Sequence, residues 1–250
     1  MKRVLFMALT LGFVFSCQKK EEVIKVECPS EEKVAQIVRN ISSSQPYLRI
    51  EKIEQFGDVP LCEVSMRLGV RYNVFYMDSK GRFVFPSVVD ANTGEVISAK
   101  KASENQTLPK DMVKMFEERT NYEFGKGDRF VILIFEPKNQ TAEEVYHKLM
   151  DWSKEKSFRL KVILMPYYAN LESYHIARSV LCDKKTFEEL LKGYSTAKGC
   201  EEGNKILNEN MDFVLEKMLL KYNPPILLSD KGKLWVGNIN KEQFEQIFFN

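Results

Sequence analysis

The residues best placed for chemistry follow an apolar run, Phe130–Phe135, that is typical of a fully buried strand. Pro137 ends this strand, and the Thr141-x-x-Glu144 spacing predicts a capping box that begins a helix at about Ala142. In α/β folds, ligands and reactive groups collect at such a helix start, because its free N–H groups and dipole stabilise an anion or a thiolate. The loop here offers only lysine, asparagine, glutamine and threonine, so it holds no obvious nucleophile.

Other polar side chains nearby have simpler explanations than catalysis. Glu143 and Glu144 lie in the predicted first helical turn, where capping and compensation of the helix dipole account for them. The two histidines, His147 and His175, have no third group spaced for a catalytic triad or a metal site. We therefore expect neither a metal nor any other cofactor.

The composition describes a chain that can build sizeable cores. Of its 250 residues, 44% are hydrophobic and 29% are charged, which is enough for two modest domains. The formal net charge is +2, and without Lys2 and Arg3 the remaining 35 basic residues balance the 35 acidic ones. This balance argues against nucleic acid as the main partner.

The beginning of the chain predicts export. A basic start precedes an apolar stretch, 4–15, that is too short for a comfortable transmembrane span. The sequence VFSC at 14–17 is similar to a bacterial lipobox. We expect 1–16 to be removed as a signal peptide and Cys17 to carry a lipid, with 17–28 as a tether to the membrane. An ordinary signal peptide cut nearby is the alternative, and both place the protein in the periplasm or cell envelope.

Four cysteines remain beyond Cys17, and an even number in an exported chain indicates two disulfides. Three connectivities are open. The local one, Cys28–Cys62 with Cys182–Cys200, places one bridge in each half, and each bridge would contribute about 3–4 kcal/mol on a loop-entropy estimate. None of the four lies in a C-x-x-C, so we interpret them as structural.

Hydrophobic periodicity and turn signals divide the chain into two parts. A helix at 30–41 and short strands that turn at 78–81 and 92–94 predict a small antiparallel α+β module. The segment 100–107 is polar and linker-like, and 108–122 predicts a helix that could bridge two domains. The second part alternates between strands and helices: strand 129–135, helix 142–156, strand 159–165, two or three helices in 171–220, hairpin 225–236 and helix 241–249. A β-α-β unit with a later antiparallel hairpin and a final helix is the thioredoxin arrangement.

Four segments, taken in order, carry a resemblance to a known family. They are NVFYMDSKGRFVFPSVVDANTGEV (73–96), LPKDMVKMFEERTNY (108–122), KVILMPYYANLESYHIARSVLC with DKKTFEELLKGYSTAKGC (161–200), and NPPILLSDKG (223–232). They resemble parts of the periplasmic disulfide isomerases DsbC and DsbG: the end of the dimerisation domain, the linker helix, the helical insertion with its cysteine pair, and the cis-proline segment. The resemblance spans nearly the whole mature chain and supports the Cys182–Cys200 pairing.

The resemblance implies a fold in three parts. An α+β N-terminal dimerisation domain would occupy 29–99, and a linker with a helix would occupy 100–127. An α/β thioredoxin-like domain with a helical insertion would occupy 128–250. A chain of this architecture would form a homodimer that encloses an uncharged, apolar cleft.

The resemblance also implies a binding site for extended polypeptides. It places the cis-proline at Pro224, after Asn223, in a loop whose backbone would pair with a client chain. Tyr167 and Tyr168 follow a predicted strand end and would form a rim of the same cleft.

The resemblance fails where the family does its chemistry. The family's C-x-x-C opens the helix after the first strand of the thioredoxin fold, and the matching segment here is NQTAEEVYHKL. Depending on a small gap, the pair falls on Gln140 and Glu143, on Thr141 and Glu144, or on Glu143 and Tyr146. None of these is a cysteine, and thiol–disulfide exchange requires a thiolate. We therefore predict a degenerate active site at Gln140, Thr141, Glu143 and Glu144.

These observations predict a binding protein rather than an enzyme. We expect a lipoprotein that binds unfolded or partly folded envelope proteins as a chaperone or assembly factor. One alternative is a thiol–disulfide interchange protein that uses Cys182–Cys200 or Cys28–Cys62, although acidic neighbours of the first pair would raise a thiol pKa. The other alternative is a dedicated interaction subunit of one envelope complex.

Overall fold

The computed structural model describes residues 25–41, 46–167, 170–221 and 223–249. The predicted signal peptide, the lipidation at Cys17 and the Tyr168 contact lie outside these residues. Within the described part of the chain, no helix is long and apolar enough to cross a membrane.

The N-terminal module packs one amphipathic helix on a four-stranded antiparallel sheet. Helix α1 (Glu31–Ile41) buries Val34 and Val38, which lie on one face because they are four residues apart. The strands are β1 (Leu48–Gln55), β2 (Leu61–Leu68), β3 (Arg71–Asp78) and β4 (Val84–Phe85), paired in that order. The predicted Cys28–Cys62 disulfide is confirmed, and it ties the segment before α1 to β2.

The segment predicted as a strand and a polar linker is a helix. Helix α2 (Ile97–Glu104) replaces the predicted strand at 95–98 and most of the linker at 100–107. A hairpin was predicted here around the turn at 92–94. Among the described residues, an isolated antiparallel bridge between Val89 and Val96 is present in its place. An ion pair and two hydrogen bonds from an arginine hold this polar helix and the residues after it on the sheet. The Lys101 ammonium donates to both carboxylate oxygens of buried Glu63 at 2.7 Å, and Arg67 Nη2 donates at 2.8 Å to the carbonyl groups of Asn105 and Thr107 just beyond the helix.

The predicted linker helix is shorter than expected and packs against the second module. Helix α3 spans Lys110–Glu117 and buries Met112, Val113 and Phe116. These side chains belong to the core that also contains Ile132 of the second sheet. The prediction of a linker helix that bridges two domains is therefore not confirmed.

The C-terminal module is built on a five-stranded mixed sheet with the order β5-β7-β6-β8-β9. Strands β6 and β7 are parallel and are joined by helix α4, whereas β5, β8 and β9 each run antiparallel to the strand beside them. The elements are β5 (Tyr122–Gly125), β6 (Arg129–Phe135), α4 (Gln140–Lys156), β7 (Phe158–Leu164), β8 (Ile226–Ser229) and β9 (Leu234–Val236). The sequence reading missed only the short edge strand β5 among these strands.

Helices cover both faces of this sheet. One face packs against α4, α5 (Leu171–Cys182), α6 (Phe187–Leu191) and α8 (Lys241–Phe248). The other packs against α3 and the end of α7 (Glu201–Met211), which continues as a π-helical segment, Asp212–Lys217. The predicted Cys182–Cys200 disulfide is confirmed and joins the end of α5 to the start of α7.

The two modules share backbone hydrogen bonds. The turn between β2 and β3 lies against the residue after the π-helical segment, where the Val70 N–H donates to the Met218 carbonyl at 3.0 Å. Gly69 has a φ of 59°, and a Cβ at this position would lie 2.3 Å from the same carbonyl oxygen. Glycine is needed here because this approach leaves no room for a side chain. An ion pair between Arg49 and Asp111 at 2.7 Å adds a second contact.

Candidate functional site: a helix start without thiols

The helix that follows β6 begins two residues earlier than its sequence predicts. Asn139 is the N-cap of α4, and its Oδ1 accepts a hydrogen bond from the Ala142 N–H at 3.1 Å. The predicted capping box of Thr141 and Glu144 is therefore wrong. Glu144 instead accepts from the Gln140 side chain at 3.0 Å, one turn away on the helix surface. Asparagine is at least as good an N-cap as threonine, and Asn139 lies closer to the end of the strand.

Three chain segments meet at this helix start. The Asn139 amide donates to Glu136 Oε2 at 3.2 Å and to the Pro224 carbonyl at 3.1 Å. The other oxygen of Glu136 accepts from the Tyr167 N–H at 3.3 Å. The side chains of Glu136 and Asn139 therefore join the ends of β6 and β7 to the segment that leads into β8. We call Glu136, Asn139, Tyr167 and Pro224 the helix-start site.

The structure brings some predicted site residues together and leaves others apart. Pro224 is buried at the helix-start site, whereas Asn223 is exposed. The prediction of a cis-proline at Pro224 is wrong by one residue, because the cis peptide joins Pro224 to Pro225. Tyr167 reaches the site through its backbone N–H rather than through its ring.

The hydrogen bonding at Asn139 marks the capping position of α4. A reactive thiolate at a helix start occupies the capping position and accepts hydrogen bonds from the first free N–H groups. Asn139 occupies that position here, and its bonding partner three residues on, Ala142, is fully buried. By this geometry, a pair of cysteines that began at the capping position would fall on 139 and 142, where this chain has asparagine and alanine. The predicted positions Gln140, Thr141, Glu143 and Glu144 lie on the helix after its start.

The helix-start site can bind and position, but it offers no nucleophile. Glu136 is only 7% exposed, and both of its oxygens accept hydrogen bonds that order the surrounding loops. His147 and His175 are exposed on helices α4 and α5. Among the described residues, no three His, Cys, Asp or Glu side chains are grouped so that they could hold a metal ion.

Sequence reasoning missed the two residues that organise this site. From the sequence, Asn139 is only one of the polar residues of the loop, and Glu136 has no assigned role. The signal that could have found Asn139 is its type, because asparagine is a preferred N-cap and Pro137 ends the strand just before it. Its contact with Pro224 spans 85 residues and has no local signature.

The connections around this site decide the fold. A helix starts at the carboxyl end of the first parallel strand and faces a proline loop that leads into an antiparallel hairpin and a final helix. The C-terminal module has a thioredoxin-like fold. Its helical insertion, α5 to α7, separates the β-α-β unit from the hairpin.

No protein-family model matches the sequence, and no curated protein matches it. Among solved structures, Helicobacter pylori DsbG is 12% identical, with a TM-score of 0.38, and the match covers 80% of this chain and all of that one. The catalytic domain of Proteus mirabilis ScsC is 12% identical, with a TM-score of 0.42 over 56% of this chain and 96% of that one. A periplasmic thioredoxin-like protein from Salmonella enterica serovar Typhimurium is 10% identical, with a TM-score of 0.44 over 53% of this chain and 92% of that one. These TM-scores are low, so the fold assignment rests on the strand order and connections described above.

The two disulfides differ in their surroundings. Cys62 is fully buried in the core of the N-terminal module. Cys182 and Cys200 are both partly exposed, and Cys200 is the N-cap of α7, where its sulfur accepts a hydrogen bond from the Gly203 N–H at 3.2 Å. The thioredoxin-like domain thus has a sulfur at a helix start, although in its insertion rather than at α4.

The N-terminal module exposes several apolar side chains in and near its edge strand β4, between residues 83 and 96. Phe83 is 58% exposed and Phe85 41% exposed, and Val84, Val89 and Val96 are also exposed. Strand β4 lies at one edge of the sheet and pairs only with β3. We call these five residues the β4 patch. An apolar groove of about 370 Å³ between α1 and the sheet adjoins the patch through Val84.

Proposed function

We propose that this protein is an exported, lipid-anchored homodimer that binds unfolded or partly folded envelope polypeptides without thiol chemistry. The observation that carries the proposal is the helix-start site, where the capping residue Asn139 and its bonding partner Ala142 carry no thiol. Export and lipid attachment at Cys17 are proposed from the first residues of the sequence. Retention of the thioredoxin-like scaffold without its thiols favours a role in binding.

The exposed apolar surface of the N-terminal module supports both the proposed homodimer and the proposed binding of client polypeptides. Edge strands present unpaired backbone groups, and contiguous exposed apolar residues mark interaction sites. The β4 patch combines the two features, so it fits a second copy of this chain. The neighbouring groove would hold apolar side chains of a client, and the nearly neutral net charge would allow clients of either sign.

The proposal predicts that the protein suppresses aggregation of a denatured client. At several-fold excess, the Cys17→Ser protein should reduce the light scattering of thermally denatured citrate synthase. The Phe83→Ser/Phe85→Ser variant should lose most of this effect and shift toward monomer in light-scattering mass measurements. Both side chains are already exposed, so the fold should persist.

A matched control removes an exposed apolar residue from the other module. Leu171 is 71% exposed at the start of α5, and Leu171→Ser should keep both the dimer mass and the aggregation effect. Unchanged client aggregation with the unmodified protein would contradict the proposed function. Equal loss in both variants would contradict the role of the β4 patch.

A second candidate function is thiol–disulfide exchange through Cys182–Cys200. The observation that favours it is the Cys200 sulfur at the start of α7, because a helix N-terminus stabilises a thiolate. An external thiolate would attack the Cys182 sulfur, form a mixed disulfide and displace Cys200 as a thiolate. A second thiolate of the same reductant would then attack the mixed disulfide and release Cys182. The reductant becomes a disulfide, and the protein gains two electrons.

Redox titration tests this candidate against an internal control. Cys182–Cys200 should reduce at a higher potential than Cys28–Cys62, because both of its residues are partly exposed, whereas the other bridge has one partly exposed residue, Cys28, and one buried residue, Cys62. Thiol labelling and mass spectrometry of the Cys17→Ser protein in redox buffers would measure both. A midpoint potential near about −200 mV for Cys182–Cys200 would support thiol–disulfide exchange. If both bridges stay oxidised below about −300 mV, polypeptide binding remains as the only proposed function.

A further inference from the structure

A cleft of about 440 Å³ lies where the two modules meet. This volume is within the range of about 300–1,000 Å³ that small-molecule sites occupy, and such sites are frequent at domain junctions. The cleft is separate from the helix-start site, the β4 patch and both disulfides, none of whose residues line it.

The apolar wall of the cleft comes from both modules. Val70 is contributed by the turn between β2 and β3, and Leu220 by the chain after the π-helical segment. Leu234 and Val236 point to the same face of β9 because they are two residues apart, and Ile247 of α8 completes the wall. Val236 is 41% exposed, so the described structure leaves part of this wall uncovered.

The wall is held in place by contacts that do not depend on a ligand. The Val70 N–H bonds to the Met218 carbonyl, and the Leu108 N–H bonds to the Gly232 carbonyl at 2.8 Å. Arg67 orders the 105–107 segment behind the cleft through the carbonyls of Asn105 and Thr107. The cleft is therefore formed before anything binds, which lowers the entropic cost of binding.

Two cations line the cleft, the exposed Arg71 and the half-buried Lys233. Within the described residues, the side chains of Arg71 and Lys233 make no ion pair or hydrogen bond, and no described residue that lines the cleft is acidic. The buried or half-buried cations Arg129 and Lys161 behave differently, since each pairs with a carboxylate. Two unpaired cations beside an apolar wall match a ligand with an anionic head and an apolar body.

We propose that this cleft binds a free fatty acid. Its carboxylate would lie between Arg71 and Lys233, and its single acyl chain would pack on Val70, Leu234 and Val236. The volume suits one acyl chain rather than the two chains of a phospholipid. This site is independent of the proposed polypeptide binding, because it uses neither the β4 patch nor the apolar groove beside it.

Isothermal titration calorimetry with dodecanoate below its micelle concentration tests the proposal. The Cys17→Ser protein is used, so that no attached lipid competes. We expect saturable binding of one dodecanoate per chain and at least tenfold weaker binding to Arg71→Gln/Lys233→Gln. The control Lys80→Gln/Lys126→Gln removes two exposed cations that do not line the cleft and should bind dodecanoate like the unmodified protein.

Changing the charge of the ligand's head group distinguishes binding at this site from non-specific apolar binding. Dodecyltrimethylammonium has the same chain with a positive head and should bind at least tenfold more weakly than dodecanoate. Equal affinity for the two, binding unaffected by Arg71→Gln/Lys233→Gln, or no dodecanoate binding would overturn the proposal. Competitive displacement of dodecanoate by a denatured polypeptide would also overturn it, because the cleft would then belong to client binding.

Discussion

The N139C/A142C variant should acquire a thiol–disulfide exchange activity at a site where the natural chain has none. The side chain at 139 caps α4 and accepts from the N–H of residue 142, so a thiolate there would be stabilised by that N–H and by the helix dipole. Helix-start thiols have pKa values of about 3.5–7.5, compared with about 8.5 for a free thiol. The fraction of thiolate at neutral pH should therefore rise about 8- to 30-fold. Insulin reduction by dithiothreitol and the ultraviolet absorbance of the thiolate would measure the activity and the pKa.

The matched control carries the same two cysteines in a register predicted from the sequence. In Q140C/E143C the new thiols lie after the helix start, so the variant should have near-background activity and an ordinary thiol pKa. Adding Glu136→Gln to N139C/A142C should lower the thiol pKa further, because a carboxylate that lies 3.2 Å from the Asn139 amide disfavours a neighbouring thiolate. Equal activity in the two registers would show that Asn139 does not mark the active-site position.

Removing the Cys28–Cys62 disulfide should destabilise the N-terminal module by about 4 kcal/mol. The bridge closes a loop of 34 residues, and loop-closure entropy in the unfolded state gives this magnitude. The module depends on the bridge because its main apolar cluster is small, with seven buried side chains: Val34, Val38, Cys62, Val64, Met66, Phe75 and Met77. Urea unfolding of C28S/C62S, followed by circular dichroism, would measure the loss.

The second bridge provides the comparison. Cys182–Cys200 closes a loop of 18 residues, so C182S/C200S should lose about 3 kcal/mol, and the loss should fall on the thioredoxin-like domain. A loss below about 1 kcal/mol in C28S/C62S would mean that the packing of α1 on the sheet is enough to hold the N-terminal module.

The sequence predicts elements well where one physical signal dominates. The apolar runs of β6 and β7 are buried and bounded by turn residues, so their positions follow from local patterns. The hairpin of β8 and β9 is short, and the Asp-Lys-Gly turn between its strands marks it in the sequence. Both disulfides were also predicted, because an exported chain with four cysteines and a family resemblance leaves little choice.

Prediction fails where distant contacts or competing signals decide. Helix α2 looks like a linker because its residues are polar, and it is held by Lys101 and Glu63, which are 38 residues apart. Asn139 and Thr141 are both suitable N-cap residues for α4. Asn139 is the N-cap in the structure, and its side chain also contacts the Pro224 carbonyl. A wrong cap shifts the inferred active-site register by one to four residues, although the fold is unaffected.

The hydrogen bond from the Val70 N–H to the Met218 carbonyl, with Gly69 closely packed beside it, bears on how a dimer could work. Modules joined by such a bond and a closely packed glycine do not swing freely about a connecting segment. In a dimer assembled through the β4 patch, the two helix-start sites would therefore keep a constant separation. Such a dimer would select its clients by their size, because a client would have to be long enough to reach both sites.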